Sequence, residues 1–506
     1  MRIGIDVGGT NTDAVLIGDA DEVLATVKSP TTADVTTGVA GALEALGTTE
    51  VSAVMIGTTH FVNALVEASR LEPVAAVRLG LPATAALPPM VDWPDRLRTA
   101  VEGASYLCRG GHEFDGRPIS DLDEEEIRRV AGDIAARGLR SVAISSVFSP
   151  VSAEFELRAA EILAAELGPG VHLSLSHEIG RVGLLARENA TIVNAALRSL
   201  AVGIVDAFGG ALLAAGIDAP LFLSQNDGTL MDVEQARRYP VATFASGPTN
   251  SMRGAAFLSG LTDCAVVDIG GTTTDVGVLV GGFPREAAGE AELAGVRTNF
   301  RIPDVLSLGI GGGSIVSEDG TTGPRSVGYR LPSEALVFGG STLTATDLAV
   351  AAGYAKIGDP SLVSHIDPRD ALRRIAERVA VTVDRMRTSS APLPVVAVGG
   401  GSVLIPDRLP GFDDVRRPDH FAVANAVGAA IAQVGGEVDR VFSGARETVL
   451  DEARAEAVSR AERAGARPGS VRIVDVEEIP LAYLPGNATR VRVKAVGDLD
   501  LEKIDA

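Results

Sequence analysis

The chain has 506 residues, 46% hydrophobic and 22% charged, more than one ordinary hydrophobic core accommodates, so two large lobes are expected. A net charge of −21 without a basic cluster argues against nucleic acid, whose phosphates are held by grouped Lys and Arg. No apolar run reaches the ~18 residues of a membrane span. The first residues leave no room for a leader, and Cys108 and Cys264 are isolated thiols, so a cytoplasmic protein with no membrane association and no zinc site is expected.

Residues 2–7 and 14–17 are apolar runs flanking a turn that contains Gly8, Gly9, Thr10, Asn11 and Thr12, which predicts a β-hairpin. Helices follow at 34–46 and 123–137, the latter opening with acids that suit a helix N-terminus, and strands at 51–56 and 141–148. Residues 184–215 carry apolar side chains at helical spacing and predict one long helix or two abutting ones. A second hairpin is expected from 265–269 and 276–280, around Gly270, Gly271, Thr272 and Thr273. Further helices are predicted at 250–259, 344–352, 369–387 and 422–434, and a strand at 393–398. From 441 on, a helix over 446–464 and strands over 471–476 and 489–496 form a small α+β tail. Alternating strands and helices place the chain in the α/β class, divided as 1–180, 181–440 and 441–506.

The two hairpins repeat each other. From Asp6 to Asp13 and from Asp268 to Asp275, six of eight positions are identical. Paired glycines without Cβ atoms let several backbone N–H groups approach one phosphate, and Thr10, Asn11 and Thr12 add side-chain donors. The chain has only four lysines, Lys28, Lys356, Lys494 and Lys503, and no GxxxxGK[ST], so a Walker-type site is excluded. No cation lies within either turn, so a metal ion is needed for the charge of a polyphosphate. Asp6 and Asp268, ending their strands, are the expected ligands, through the water shell of Mg²⁺. Asp13 and Asp275 serve either the loop backbone or the chemistry. Two more glycine clusters follow apolar segments. Gly399, Gly400, Gly401 and Ser402 are expected to contact the nucleotide, while Gly311, Gly312, Gly313 and Ser314 suit nucleotide, substrate or plain loop.

These motifs resemble those of the actin, sugar-kinase and seventy-kilodalton chaperone superfamily, which implies a two-lobed, ribonuclease H-like ATPase fold closing over ATP and Mg²⁺, with connecting helices within 187–200 and 422–434. Within it the chain resembles the A subunit of the hydantoinase/oxoprolinase family. The segments that carry this are Ile56-Gly57-Thr58-Thr59-His60-Phe61, Ser176-His177-Glu178-Ile179-Gly180-Arg181, Arg187-Glu188-Asn189-Ala190-Thr191-Ile192-Val193-Asn194, Ser224-Gln225-Asn226-Asp227-Gly228-Thr229-Leu230-Met231, Ala245-Ser246-Gly247-Pro248 and Thr344-Ala345-Thr346-Asp347. The resemblance implies phosphorylation of the carbonyl oxygen of a cyclic amide (a hydantoin, a lactam or 5-oxoproline) for ring opening, with a B-type partner subunit in an oligomer. Glu188, Asn189 and Asn194 become candidates for orienting the acceptor or water, and His60 and His177 for touching substrate. The short tail and the His60-Phe61 pair depart from the family pattern and leave the ring open. The same fold also serves sugar or small-acid kinases and ATP-driven chaperones or reactivases, separable by product analysis and by the source of ATPase stimulation.

Overall fold

In the computed structural model the residues described are 1–8, 11–30, 35–287, 289–442, 446–481 and 488–501. Gly9 and Thr10, both expected to hold phosphate, lie outside them.

Two sheets are built on the same plan. In the first, Val23–Pro30, Asn11–Ile17, Arg2–Val7, Ala53–Thr58 and Leu221–Ser224 lie side by side, the first two junctions antiparallel and the next two parallel. In the second, Val305–Leu308, Thr274–Val280, Cys264–Ile269, Val395–Val398 and Val415–Arg416 repeat that order and those directions, with Phe283–Pro284 also pairing to Thr274–Val280. The sequence repeat therefore marks a duplicated sheet, with Asp6 opposite Asp13 and Asp268 opposite Asp275 in matching register.

Strand alternation fixes which way the aspartates face. Ile3, Ile5 and Val7 enter a core with helices Val35–Leu46 and Leu184–Ala214, which turns Gly4 and Asp6 to the opposite face. Ala265, Val267 and Ile269 pack against helices Ala345–Ala351 and Arg369–Met386, so Asp268 looks the other way, toward helix Ser246–Ser259. Between the two aspartate-bearing faces run helices Ser246–Ser259 and Ala424–Ala430, packed against each other. They cross at glycine: a Cβ on Gly254 would strike the backbone carbonyl of Ala424, and one on Gly428 that of Asn250.

This changes one expectation. The crossing helices are Ser246–Ser259 and Ala424–Ala430; the helix over 187–200 is not one of them. That stretch belongs to a single 31-residue helix, Leu184–Ala214, whose apolar side chains are taken up by the outer face of the first sheet and by a third sheet. It is long and apolar enough to cross a membrane, but carries Arg187, Glu188, Asn189 and Asn194 inside the protein, as a core helix does. The third sheet is an all-parallel insertion of Glu102–Arg109, Val74–Leu81, Ser141–Ser146 and His172–Leu175, covered by helices Glu124–Ala136 and Glu154–Leu167. Asp123 caps the first of these by accepting from the Glu126 N–H at 2.9 Å.

The run expected as one helix over 422–434 breaks after Ala430 and continues as strand Gln433–Phe442, whose Val434, Gly436 and Val438 alternate inward. This strand joins the first sheet through Thr229–Asp232, which pairs with Leu221–Ser224, and the tail strands Thr489–Gly497 and Arg472–Pro480 extend it to nine, with helix Arg446–Arg463 packed on them. Strands from all three expected chain segments thus share one sheet.

Candidate functional site

The two hairpin turns open into one cleft of about 290 Å³. Asp6, Gly8, Asn11 and Asp13 line it from the first sheet, Asp268, Gly270 and Gly271 from the second, Gly312 and Gly399 to Gly401 from the later loops, and Ser251 and Asn425 from the crossing helices. Each turn is closed by the same hydrogen bond: the Gly8 N–H donates to the Asn11 carbonyl at 3.0 Å, and the Gly270 N–H to the Thr273 carbonyl at 2.9 Å. Thr272 is half-buried and Thr273 exposed, while Thr12 and its counterpart Thr274 are buried, the latter donating to the Ile310 carbonyl at 2.7 Å.

The carboxylates sit where charge is costly. Burial, with Asp13 and Asp268 adding repulsion, pushes Asp6 up to about 7, although Asn425 and Lys28 pull it down. Burial also raises Asp268 to about 6, against a hydrogen bond from Ser251, with Asp275 and Asp13 adding repulsion. Both aspartates line the same cleft, which is where the two halves converge. Asp6 accepts from Asn425 Nδ2 at 2.9 Å through Oδ2, while its buried Oδ1 has no partner. Asn250, whose amide atoms are both buried without partners, crowds the same glycine, Gly57, as Asp6 Oδ1. An orphaned carboxylate oxygen facing polar space fits a hydrated cation. Among the described residues no group of three or more His, Cys, Asp or Glu is placed to cage a metal. This donor set suits an ion that keeps most of its water and takes one or two carboxylates plus phosphate, as Mg²⁺ does.

Gly399 has φ +81°, and a Cβ there would meet the Asp268 carboxylate and the Ile269 carbonyl, so this turn lies directly under the second aspartate. Gly400 and Gly401 line the cleft beside it, whereas Ser402 is fully buried and outside the lining. Gly312 and Gly313 donate their N–H groups to the carbonyls of Gly270 and Gly271 at 3.0 and 2.7 Å, which makes the 311–314 loop a brace for the second hairpin. Gly311 packs against the Gly271–Thr272 backbone, and only Gly312 of the loop lines the cleft.

The helix candidates are placed elsewhere. Glu188 forms a buried two-point ion pair with Arg78, one arm Nε to Oε2 at 2.7 Å, and accepts from Ser145 at 2.8 Å. Asn189 accepts from the Trp93 indole at 2.8 Å and donates to the Arg297 carbonyl at 2.9 Å. Asn194 donates to Ser174 and to the Arg238 carbonyl, both at 3.0 Å. Their polar groups fasten the long helix to its neighbours, and none lines the cleft. His60 starts helix His60–Val66 with Nδ1 2.6 Å from Thr58 Oγ1, and burial with Arg70 lowers it to about 4, so it is neutral at physiological pH. Asp275 is raised by burial and held by Ser307 at 2.5 Å.

Lys28, Ser251 and Asn425, which line the cleft, and Asn250 beside them were not singled out from the sequence for this site. Lys28, opposite Asp13 in the register of Val23–Pro30, reaches Asp13 Oδ1 at 2.8 Å and brings into the cleft the cation missing from both turns. Its signal was that register, unreadable until the third strand is known. Asn425 bridges Asp6 and Asp13 at 2.9 and 3.0 Å from within an apolar run, and Asn250 and Ser251 are polar residues on the inner face of a helix.

Two duplicated five-strand sheets facing a shared cleft across a pair of crossing helices define the actin-like, ribonuclease H-related class of two-lobed proteins. The chain belongs to the hydantoinase/oxoprolinase family, matching its N-terminal region over residues 2–167 and the hydantoinase/oxoprolinase description over residues 187–359. It is 28% identical over 469 residues to the caprolactamase subunit alpha of Pseudomonas jessenii, covering 85% of this chain and 65% of that one. It is 28% identical over 398 residues to the acetophenone carboxylase gamma subunit of Aromatoleum aromaticum, covering 70% and 53%. The chain thus spans between half and two thirds of the length of these relatives. Its fold matches the crystal structure of the ATP-dependent caprolactamase from Pseudomonas jessenii with a TM-score of 0.76 at 19% identity, over 99% of this chain and 88% of that one.

Proposed function

We propose that the protein is the ATP-binding subunit of an enzyme that activates the carbonyl of a small cyclic amide by phosphoryl transfer. The observation that carries the nucleotide reading is the convergence of two duplicated hairpins, each with its aspartate, on one cleft. The amide is supported by membership of the family and by the caprolactamase likeness.

Phosphoryl transfer asks a protein for alignment and charge stabilisation more than for covalent chemistry. The turn N–H groups and Lys28 receive the phosphate oxygens, and the 399–401 turn receives the nucleoside end. Asp6 and Asp268 would hold Mg²⁺ through its waters, and the ion supplies neutralisation of the phosphate charge. The amide oxygen attacks the γ-phosphorus as the bond to ADP breaks; water adds to the activated ring carbon, the C–N bond breaks with the nitrogen taking water's proton, and hydrolysis of the resulting acyl phosphate leaves the carboxylate and phosphate. A B-type subunit and a cytoplasmic oligomer belong to the same reading; the buried free thiols Cys108 and Cys264, both pushed up to about 12 by burial, suit a reducing compartment.

The test is ADP release from the chain, with and without a co-purified B-type subunit, challenged with hydantoins, lactams, 5-oxoproline, thiohydantoins and ketones. Stimulation by an amide ring, lost in Asp268→Ala, is expected. The acetophenone carboxylase likeness defines the rival outcome: stimulation by ketone with bicarbonate alone replaces the amide reading by carboxylation. Unchanged ADP release in Asp268→Ala removes the cation role.

A further inference from the structure

A larger cavity, about 590 Å³, lies between the inserted sheet, the 225–242 segment and strand Gln433–Phe442. It shares no lining residue with the phosphate cleft. Strand Gln433–Phe442 stands four places along the first sheet from the strand bearing Asp6, roughly 19 Å at ~4.8 Å per strand. Two segments that carry the family resemblance yet contribute nothing to the phosphate cleft, 176–181 and 224–231, meet here.

The cavity wall is built, not incidental. Glu156, wholly buried, accepts from the Ser146 N–H at 2.8 Å, the His177 N–H at 3.0 Å and His177 Nδ1 at 2.6 Å. Burial alone would raise this carboxyl, but the bonds from His177 and Ser176 outweigh it and hold it below the ordinary range. An ionised carboxylate on Nδ1 fixes both the tautomer and the ring orientation, and leaves Nε2 as the nitrogen available to the cavity that His177 lines. Nearby, among the described residues the Arg181 side chain has one long contact, to Glu286 at 3.5 Å, and no partner for its buried Nε. The acids around the cavity are already matched: Glu178 by Arg238, Asp227 by Lys494, Glu437 by Arg492, and Asp439 by Arg490. Arg301, which also lines the cavity, is engaged by both Glu437 and Asp439, so among the described lining residues the guanidinium with donors to spare is that of Arg181, and a planar fork of N–H groups is complementary to a carboxylate.

We propose that this cavity is a second small-molecule site, taking a small carboxylate whose charge is received by Arg181 and whose other end meets Nε2 of His177. It stands whether or not the phosphate cleft acts on amides.

Calorimetric titration of the full chain with two probes of equal size tests it: glutaramate, with one carboxylate and one amide, and glutaramide, with two amides. Glutaramate is expected to bind at least tenfold more tightly. Arg181→Met erases that preference and Arg181→Lys keeps part of it, with thermal melting as the fold check. Independently of those variants, the ¹⁵N resonance of His177 Nε2, identified by its loss in His177→Gln, shifts on adding glutaramate and stays put with glutaramide. Equal affinity for the two probes, binding of neither, or a preference that survives Arg181→Met overturns the assignment.

Discussion

Replacing Asp6 by Asn is expected to stabilise the nucleotide-free protein at pH 8 while disabling it. Asp6 is raised from an ordinary 3.8 to about 7, first by burial and then by Asp13. Between those two values the folded state holds a proton that the unfolded chain has lost, so the native protein binds more protons and stability falls as pH rises. At ~1.36 kcal/mol per pH unit the full penalty is about 4 kcal/mol, present above pH 7 and absent below pH 4. An asparagine keeps an oxygen to accept from Asn425 Nδ2, so the one hydrogen bond made by Oδ2 is retained. Part of the relief is already available through Asp268, which shares the same field, so a net gain of about 2–4 kcal/mol is expected. Thermal unfolding of both proteins without nucleotide, at pH 4.5 and pH 8, measures it: Asp6→Asn melts higher at pH 8, and the gap closes toward pH 4.5. Adding ATP and Mg²⁺ raises the wild type and leaves the variant where it was. A variant less stable than wild type at pH 8, or a gap indifferent to pH, refutes the reasoning.

Lys28→Met should lower turnover of ATP roughly 10- to 100-fold and lower the melting temperature modestly, because the half-exposed cation faces the cleft and is paired with the buried Asp13; steady-state ADP release and thermal melting check this. Arg78→Met strands the buried Glu188 carboxylate and should cost about 3–5 kcal/mol in denaturant unfolding, much of it restored by adding Glu188→Gln; a Glu188→Gln protein that loses turnover at full stability would instead place Glu188 in the chemistry. Gly428→Val drives a side chain into the Asn250 backbone and should lower the melting temperature sharply, whereas Gly41→Ala, with open space at its Cβ, should leave it level or slightly higher.

What the sequence disclosed was the part written locally. Each hairpin is a contiguous strand, turn and strand, and duplication at Asp6 and Asp268 exposed the partner of each. The strand start at Arg2 and the tail strand start at Thr489 were read correctly, the latter because Pro485, Gly486 and Asn487 interrupt the apolar pattern before it. Long-range pairings were hidden. Lys28 lies fifteen residues from Asp13 and reaches it only across a strand register, and Asn425 crosses the whole chain to reach Asp6. Glu188 and Asn194 became candidates through the family resemblance, and a polar residue on an apolar helix is equally a buried tie; only the positions of Arg78 and Ser174 show that tie. Strand Gln433–Phe442 was hidden by the alanine-rich helix before it, whose composition carries past the break at Ile431.

The placement of Thr489–Gly497 between Gln433–Phe442 and Arg472–Pro480 constrains how the molecule is made. Thr489–Gly497 follows both of its neighbours in the chain, so it must slip between two strands that are already synthesised. Until then both neighbours present bare hydrogen-bonding edges, so truncation or stalling ahead of residue 489 leaves two sticky margins in place of one finished wall.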